Sequence, residues 1–198
     1  MQSEYAVKQL VSCNHVIAFR GGKALFVAFD MQVCCGELVV VSGANGIGKT
    51  TLLDCLSYRY FDWTGSICCS RKTFSYLPQS FQYFQTAQLC EIAPLVIGYS
   101  KTRYDQLLDA FNLRAKAQCV PSLLSGGELQ RTRLLLTLLR SHDVLMLDEP
   151  FANTDAECRC ALLAELKERK PTRATIVVSH ATDVCQASVE GDKYLEIM

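Results

Sequence analysis

Leu38-Val39-Val40-Val41-Ser42-Gly43-Ala44-Asn45-Gly46-Ile47-Gly48-Lys49-Thr50-Thr51-Leu52-Leu53 is the stretch whose reading decides the fold. Its first four residues form a short β-branched run bounded by Gly36 and Gly43, the pattern of a buried parallel strand, and Thr51 to Leu56 reads as an apolar helix. Between them, Gly43 to Thr50 match G-x-x-x-x-G-K-[ST] at every fixed position. Glycines let the backbone curl until its N–H groups converge on phosphate oxygens at a helix N-terminus, where the helix dipole also favours negative charge. Gly43, Ala44, Asn45, Gly46, Ile47 and Gly48 are therefore expected to cradle phosphates, with Lys49 neutralising the β- and γ-phosphates. Thr50 would offer its hydroxyl to Mg²⁺, and Thr51 would hydrogen-bond the phosphates further in.

Two more strand signals lie further along the chain. Val144 to Leu147 follows a helical pattern from Glu128 to Arg140, and Thr175 to Val178 follows an amphipathic segment from Ala156 to Lys170. Strands alternating with helices predict a parallel α/β core. Residues from about 80 to 122, rich in Gln, Leu and Ala, read instead as an inserted helical lobe. Asp148-Glu149-Pro150 stands at the carboxyl end of the second strand, where open α/β sheets bind ligands. Asp148 is thereby expected to hold the Mg²⁺ shell, and Glu149 to polarise the water that attacks a γ-phosphate.

Composition narrows the function further. The 198 residues carry 20 basic and 20 acidic side chains, so the chain lacks the positive excess typical of nucleic-acid binders, and no nucleic-acid partner is expected. No apolar run approaches the roughly 20 residues of a membrane helix, and no signal-peptide pattern opens the sequence, so no direct membrane insertion and a cytoplasmic location are expected. Eleven cysteines occur without C-x-x-C spacing and beside only three histidines, which argues against a metal or Fe–S site. They read as reduced, small apolar core residues.

Leu124-Ser125-Gly126-Gly127-Glu128-Leu129-Gln130-Arg131 opens the long second helix. By its residues alone this segment is either a second anion-binding helix N-terminus or a plain Ser N-cap with glycines in the first turn. The order of phosphate loop, Gln79, Leu124 to Glu128, Asp148-Glu149 and His180 resembles the nucleotide-binding subunit of ATP-binding-cassette (ABC) transporters, over nearly the whole chain. The resemblance implies an α/β fold: a P-loop NTPase core with a parallel sheet, a small antiparallel β part and a short inserted helical lobe. The single ABC ATPase domain 1–198 would divide into a nucleotide-binding core, 1–79 and 123–198, and a lobe, 80–122. It implies that ATP and Mg²⁺ are the cofactors, that Gln79 reaches the metal and the γ-phosphate, and that His180 contacts the γ-phosphate. It further implies that Phe19 stacks on adenine, with Phe26 and Phe29 nearby, and that Asp155 belongs to a loop linking the two sites of a dimer. Ser125, Gly126 and Gly127 would close on ATP held by a second copy, making a homodimer with two composite sites.

The function so implied is ATP hydrolysis that drives solute transport by a separate integral membrane permease, with the subunit peripheral on the cytoplasmic face of the inner membrane. The alternative is a soluble ABC-type ATPase that powers assembly or remodelling of a cytosolic complex. Phe81, Tyr83, Phe84, Leu89 and Ile92, after Gln79, are either a docking groove for a permease helix or the lobe's own core. The transported solute, and import against export, are not encoded in these residues.

Overall fold

A strand places alternate side chains on opposite faces, and the three apolar runs use both. The computed structural model, which describes residues 9–69, 73–79, 86–169, 173–179 and 193–197, places these runs in the middle of a five-stranded parallel sheet. Its order is β6 (Phe74–Leu77), β7 (Val144–Asp148), β8 (Ala174–Val178), β4 (Leu38–Gly43) and β9 (Lys193–Ile197). Register runs straight across it: Val41 pairs with Val178, and Leu147 with Val177.

Leu38, Val40, Leu145, Leu147 and Val177 enter one core cluster, whereas Val39, Val41, Val144, Met146, Ile176 and Val178 enter another. The first core is closed by α3 (Lys101–Ala110), α4 (Gly126–Leu139) and α5 (Ala156–Arg169), through Leu107, Leu135, Leu138 and Leu162. The second is closed by α1 (Lys49–Leu56) and by an antiparallel sheet. That sheet pairs the long β1 (Gln9–Arg20) with β2 (Lys23–Ala24), β3 (Phe29–Cys34) and β5 (Trp63–Cys69). Each fully buried Val or Leu contributes about 1.5–3 kcal/mol, so a sheet buried on both faces is a rigid platform for whatever stands at its strand ends.

Helix boundaries depart from the apolar pattern for local reasons. Gly48, with φ +109°, caps α1, which begins at Lys49 rather than Thr51. Ser125 caps α4 in a closed capping box with Glu128, so that helix starts at Gly126. From 86 to 122 the chain makes only short helices and turns: α2 (Leu89–Ile92), α3, and 3₁₀ turns at Ala93–Leu95, Arg114–Lys116 and Pro121–Leu123. Of the ten cysteines among the described residues, all free, only Cys13, Cys55, Cys69 and Cys158 are buried. Burial pushes the Cys13 and Cys55 thiols up to about 12, as suits inert core residues. The core role expected of every cysteine does not extend to Cys68 and Cys160, which are exposed.

Candidate functional site

The phosphate loop leaves the carboxyl end of β4, in the middle of the parallel sheet, and enters α1 directly. Its glycines are required. A Cβ on Gly43 would lie 2.8 Å from the Ile197 carbonyl oxygen, and one on Gly48 would lie 2.9 Å from the Phe26 ring. Gly48 also has a left-handed φ, which an L side chain rarely adopts. Lys49 is buried, and its Nζ donates to the Gly43 carbonyl at 2.9 Å and the Ala44 carbonyl at 3.1 Å. A cation so held on the loop backbone is poised to exchange carbonyls for phosphate oxygens.

Beside it, β7 delivers Asp148 and Glu149. Glu149 has φ +48°, a strained conformation for a non-glycine residue, and its N–H is tied to the Val178 carbonyl at 2.8 Å. The neighbouring strand thus fixes the backbone at the end of β7, and both carboxylates line one cleft. Asp148 is 2% exposed, and neither of its carboxylate oxygens has a hydrogen-bond partner. Burial pushes its pKa up to about 6; the neighbouring Thr50 hydroxyl and Lys49 pull it down, while Glu149 and Asp54 add to the rise. A buried, unpartnered carboxylate beside a threonine hydroxyl is a donor set that fits Mg²⁺, a hard cation bound by one or two protein oxygens together with phosphates and water. No cluster of three or more metal-ligating side chains exists among the described residues.

A cleft of about 870 Å³ opens over these groups. It is lined by Asn45, Gly46, Gly48, Lys49, Thr50 and Thr51 of the loop, by Asp148 and Glu149, and by Gln79. The structure therefore brings together, across the sheet, the loop, the β7 carboxylates and the glutamine that follow from the sequence motifs. Ser125, Gly126 and Gly127 do not line this cleft. They stand at the α4 N-terminus beside Asn153, whose carbonyl lies 3.8 Å from where a Gly127 Cβ would be. The Ser125 hydroxyl donates to Glu128 at 2.8 Å, and Lys116 pairs with the same carboxylate at 3.0 Å. The Ser125 backbone N–H, then Lys116 and the hydroxyl, hold the Glu128 carboxyl down at about 2. Asp155 caps α5 by accepting from the Cys158 N–H at 2.9 Å and pairs with Arg131 of α4.

Phe19 is not brought into the cleft. Neighbours on a strand face opposite ways, so Arg20 lines the cleft while Phe19 stays half-buried, its N–H bonded to the Asp62 carbonyl at 2.8 Å. Phe26 and Phe29 are core residues. His180, Phe81, Tyr83 and Phe84 lie outside the described residues, whereas Leu89 and Ile92 are buried in the core cluster shared with one face of the parallel sheet.

Motif reading passes over Arg20, Asp54, Gln130 and Arg133, which all line the cleft. Asp54 stands one turn after Thr50 on α1, and Arg133 one turn after Gln130 on α4, so helical spacing was the available signal. Arg133 donates to the Pro78 carbonyl at 2.6 Å, the Gln79 carbonyl at 3.1 Å and the Gln130 side chain at 3.1 Å. It thereby ties the Gln79 segment to α4.

The chain matches the family model described as ABC transporter over residues 27–152. The aliphatic sulfonates import ATP-binding protein SsuB 2 of Paracoccus denitrificans is 32% identical over 179 residues, spanning 88% of this chain and 72% of that protein. Its counterpart in Pseudomonas savastanoi pv. phaseolicola is 30% identical over 98% of this chain and 73% of its own. Among solved structures, an ATP-binding subunit of an ABC transporter superposes with a TM-score of 0.82 at 21% identity, covering 95% of this chain and 88% of that one. A bacterial Atm1-family ABC exporter with ATP bound gives 0.83 at 20% identity, covering 98% of this chain but 38% of its own.

Proposed function

Because this chain belongs to the ABC transporter family and is one of its ATP-binding, ATP-hydrolysing subunits, we propose that two copies close on two Mg²⁺-bound ATP molecules to drive a separate membrane permease. The observation that carries the hydrolytic site is the unpartnered, buried Asp148 beside Thr50 and Lys49 at the strand ends. The Gly43–Thr50 backbone and Lys49 bind the β- and γ-phosphates. Thr50, Asp148 and Gln79 would hold Mg²⁺, which supplies charge neutralisation on the phosphates. Glu149 orients a water, whose oxygen attacks the γ-phosphorus, and takes up its proton as the bond to the ADP oxygen breaks.

A second copy gives Ser125 a role, because it stands outside its own chain's cleft and, once it releases Glu128, would cap the γ-phosphate held by a partner. His180 would contact the same phosphate. The SsuB relatives are import proteins, and import is the direction this proposal takes, with the solute chosen by the permease.

Docking to that permease is supported by a second cleft, of about 480 Å³, between the Tyr76–Pro78 segment and the lobe. Ile92, Leu95, Val96, Ile97 and Leu136 line it, and Leu95 and Ile97 are 72% and 62% exposed. A short apolar helix is the occupant that would cover such a surface. Among the described residues no helix is long and apolar enough to cross a membrane, consistent with recruitment through a partner. Crosslinking from position 97 in intact cells tests this. Recovery of an integral membrane protein supports the transporter reading, and recovery only of soluble assembly factors favours the cytosolic remodelling ATPase instead.

A further inference from the structure

The triphosphate end of the cleft is furnished by the loop, Lys49, Asp148, Glu149 and Gln79, which leaves open what holds the nucleoside. Among the described residues no aromatic ring lines the cleft. Phe26 and Phe29 are 3% and 7% exposed in the core, and Phe19 is half-buried outside the cleft lining. Among the described residues, Arg20 is the one lining residue contributed by the antiparallel sheet. It ends β1, where the Gly21-Gly22 turn begins, and its side chain is exposed. Its Nη2 donates to the Thr51 hydroxyl at 3.4 Å, in the first turn of α1, so the guanidinium already leans over the cleft. The other lining guanidinium, Arg133, is committed to the Pro78 and Gln79 carbonyls.

A guanidinium is a flat, weakly hydrated cation with two faces, and it can stack on the π-face of a purine as it does on an aromatic side chain. Resting on the nucleotide-site reading above, the geometry points to Arg20 as the base-contact residue of this ATPase, holding the purine by face-to-face stacking. Stacking uses the π-face that every purine presents and ignores the groups on its edge. The site therefore discriminates weakly between adenine and guanine nucleotides, and the chain accepts GTP as well as ATP.

Calorimetric titration of the full chain with Mg·ATP, Mg·GTP and inorganic tripolyphosphate separates base contact from phosphate contact. Arg20→Ala should weaken ATP and GTP binding by about three- to tenfold, the range for a stacked cation, and tripolyphosphate by less than twofold. Arg20→Trp should restore nucleotide affinity, whereas Arg20→Lys, cationic but not planar, should not. Equal losses for ATP and tripolyphosphate would make Arg20 a phosphate ligand and overturn the assignment, as would unchanged ATP affinity in Arg20→Ala or a wild type that prefers ATP over GTP by a hundredfold. Lys49→Ala is the control: it should weaken all three ligands. If it weakens none, the nucleotide-site reading fails, and the Arg20 assignment with it.

Discussion

Replacing Asp148 by Asn should make the nucleotide-free protein more stable at neutral pH while destroying its catalysis. In the fold, burial without a hydrogen-bond partner raises this carboxyl to about 6, against an ordinary value near 4. A raised acid binds its proton more tightly in the folded state than in the unfolded one. Stability is therefore fully present below about pH 4 and is lost as pH climbs to about 6. Each pKa unit corresponds to roughly 1.4 kcal/mol, so the ionised side chain costs the fold up to about 3 kcal/mol above that window. Asparagine carries no charge to bury. With a chelator present, thermal melts from pH 4 to 7.5 should show the two proteins alike at the acid end. At pH 7.5 the variant should be the more stable by about 1–3 kcal/mol, or very roughly 3–10 °C for a chain of this size. Mg·ATP should then stabilise the wild type more than the variant, because only the wild type offers the cation a carboxylate. A difference in melting temperature that does not change between pH 4 and 7.5, or a variant less stable at pH 7.5, would refute the reasoning.

Glu149→Gln should bind ATP with near wild-type affinity yet lower turnover by at least about 10²-fold, because the phosphate contacts survive and the water-activating carboxylate does not; hydrolysis within a factor of two of wild type would remove Glu149 from that role. Ser125→Arg should abolish hydrolysis while leaving ATP binding by the single chain intact, and mixing it with Lys49→Ala chains should rebuild at most one working site per pair; full activity in Ser125→Arg chains would leave this segment a helix cap only. Arg133→Gln removes charged hydrogen bonds to the Pro78 and Gln79 carbonyls, so denaturant midpoints should report a loss of about 1–3 kcal/mol, and kcat should fall more than KM rises; an unchanged kcat would show that the Gln79 segment does not depend on this anchor. Ile97→Asp, at an exposed position of the second cleft, should uncouple transport and membrane association while the basal ATPase of the isolated chain stays close to wild type; retained membrane association would take the permease off this surface.

Legibility followed how local each signal is. The loop from Gly43 to Thr50 could be read because a backbone curled around phosphates needs glycines at fixed positions, and the steric limits at Gly43 and Gly48 bear that out. The strands β4, β7 and β8 were readable because burial on both faces demands an unbroken apolar run. By contrast β1 was not. Its apolar run is broken at Asn14-His15, where His15 takes φ +51° and the pairings with β3 and β5 both shift register. An irregularity of that kind scrambles the period of two from which a half-buried strand is recognised. The same strand explains why Phe19 was the natural expectation for the base and Arg20 the residue in the cleft. The family resemblance favours the aromatic, but which of two neighbours faces inward depends on the register of the whole strand, including an irregularity that no local motif announces.

Two candidate anion-binding helix N-termini in one chain, those of α1 and α4, pose a problem that the geometry answers. A single nucleotide needs one, and of these two N-termini only that of α1 opens into the cleft. The α4 N-terminus is satisfied within the chain, its Ser125 hydroxyl and backbone N–H both given to Glu128, whose charge is in turn balanced by Lys116. Such a closed cap is satisfied without any ligand. To meet a γ-phosphate, however, Ser125 has to give up its bond to Glu128, and an ionised carboxylate then stands next to the incoming triphosphate. Lys116 keeps that repulsion in check. The cap that stabilises the isolated subunit would thus oppose closure of the proposed dimer, an opposition released when a nucleotide supplies a better acceptor than Glu128. On this reading ATP is the condition for pairing as well as the fuel, and hydrolysis, by removing the γ-phosphate, returns Ser125 to its own helix.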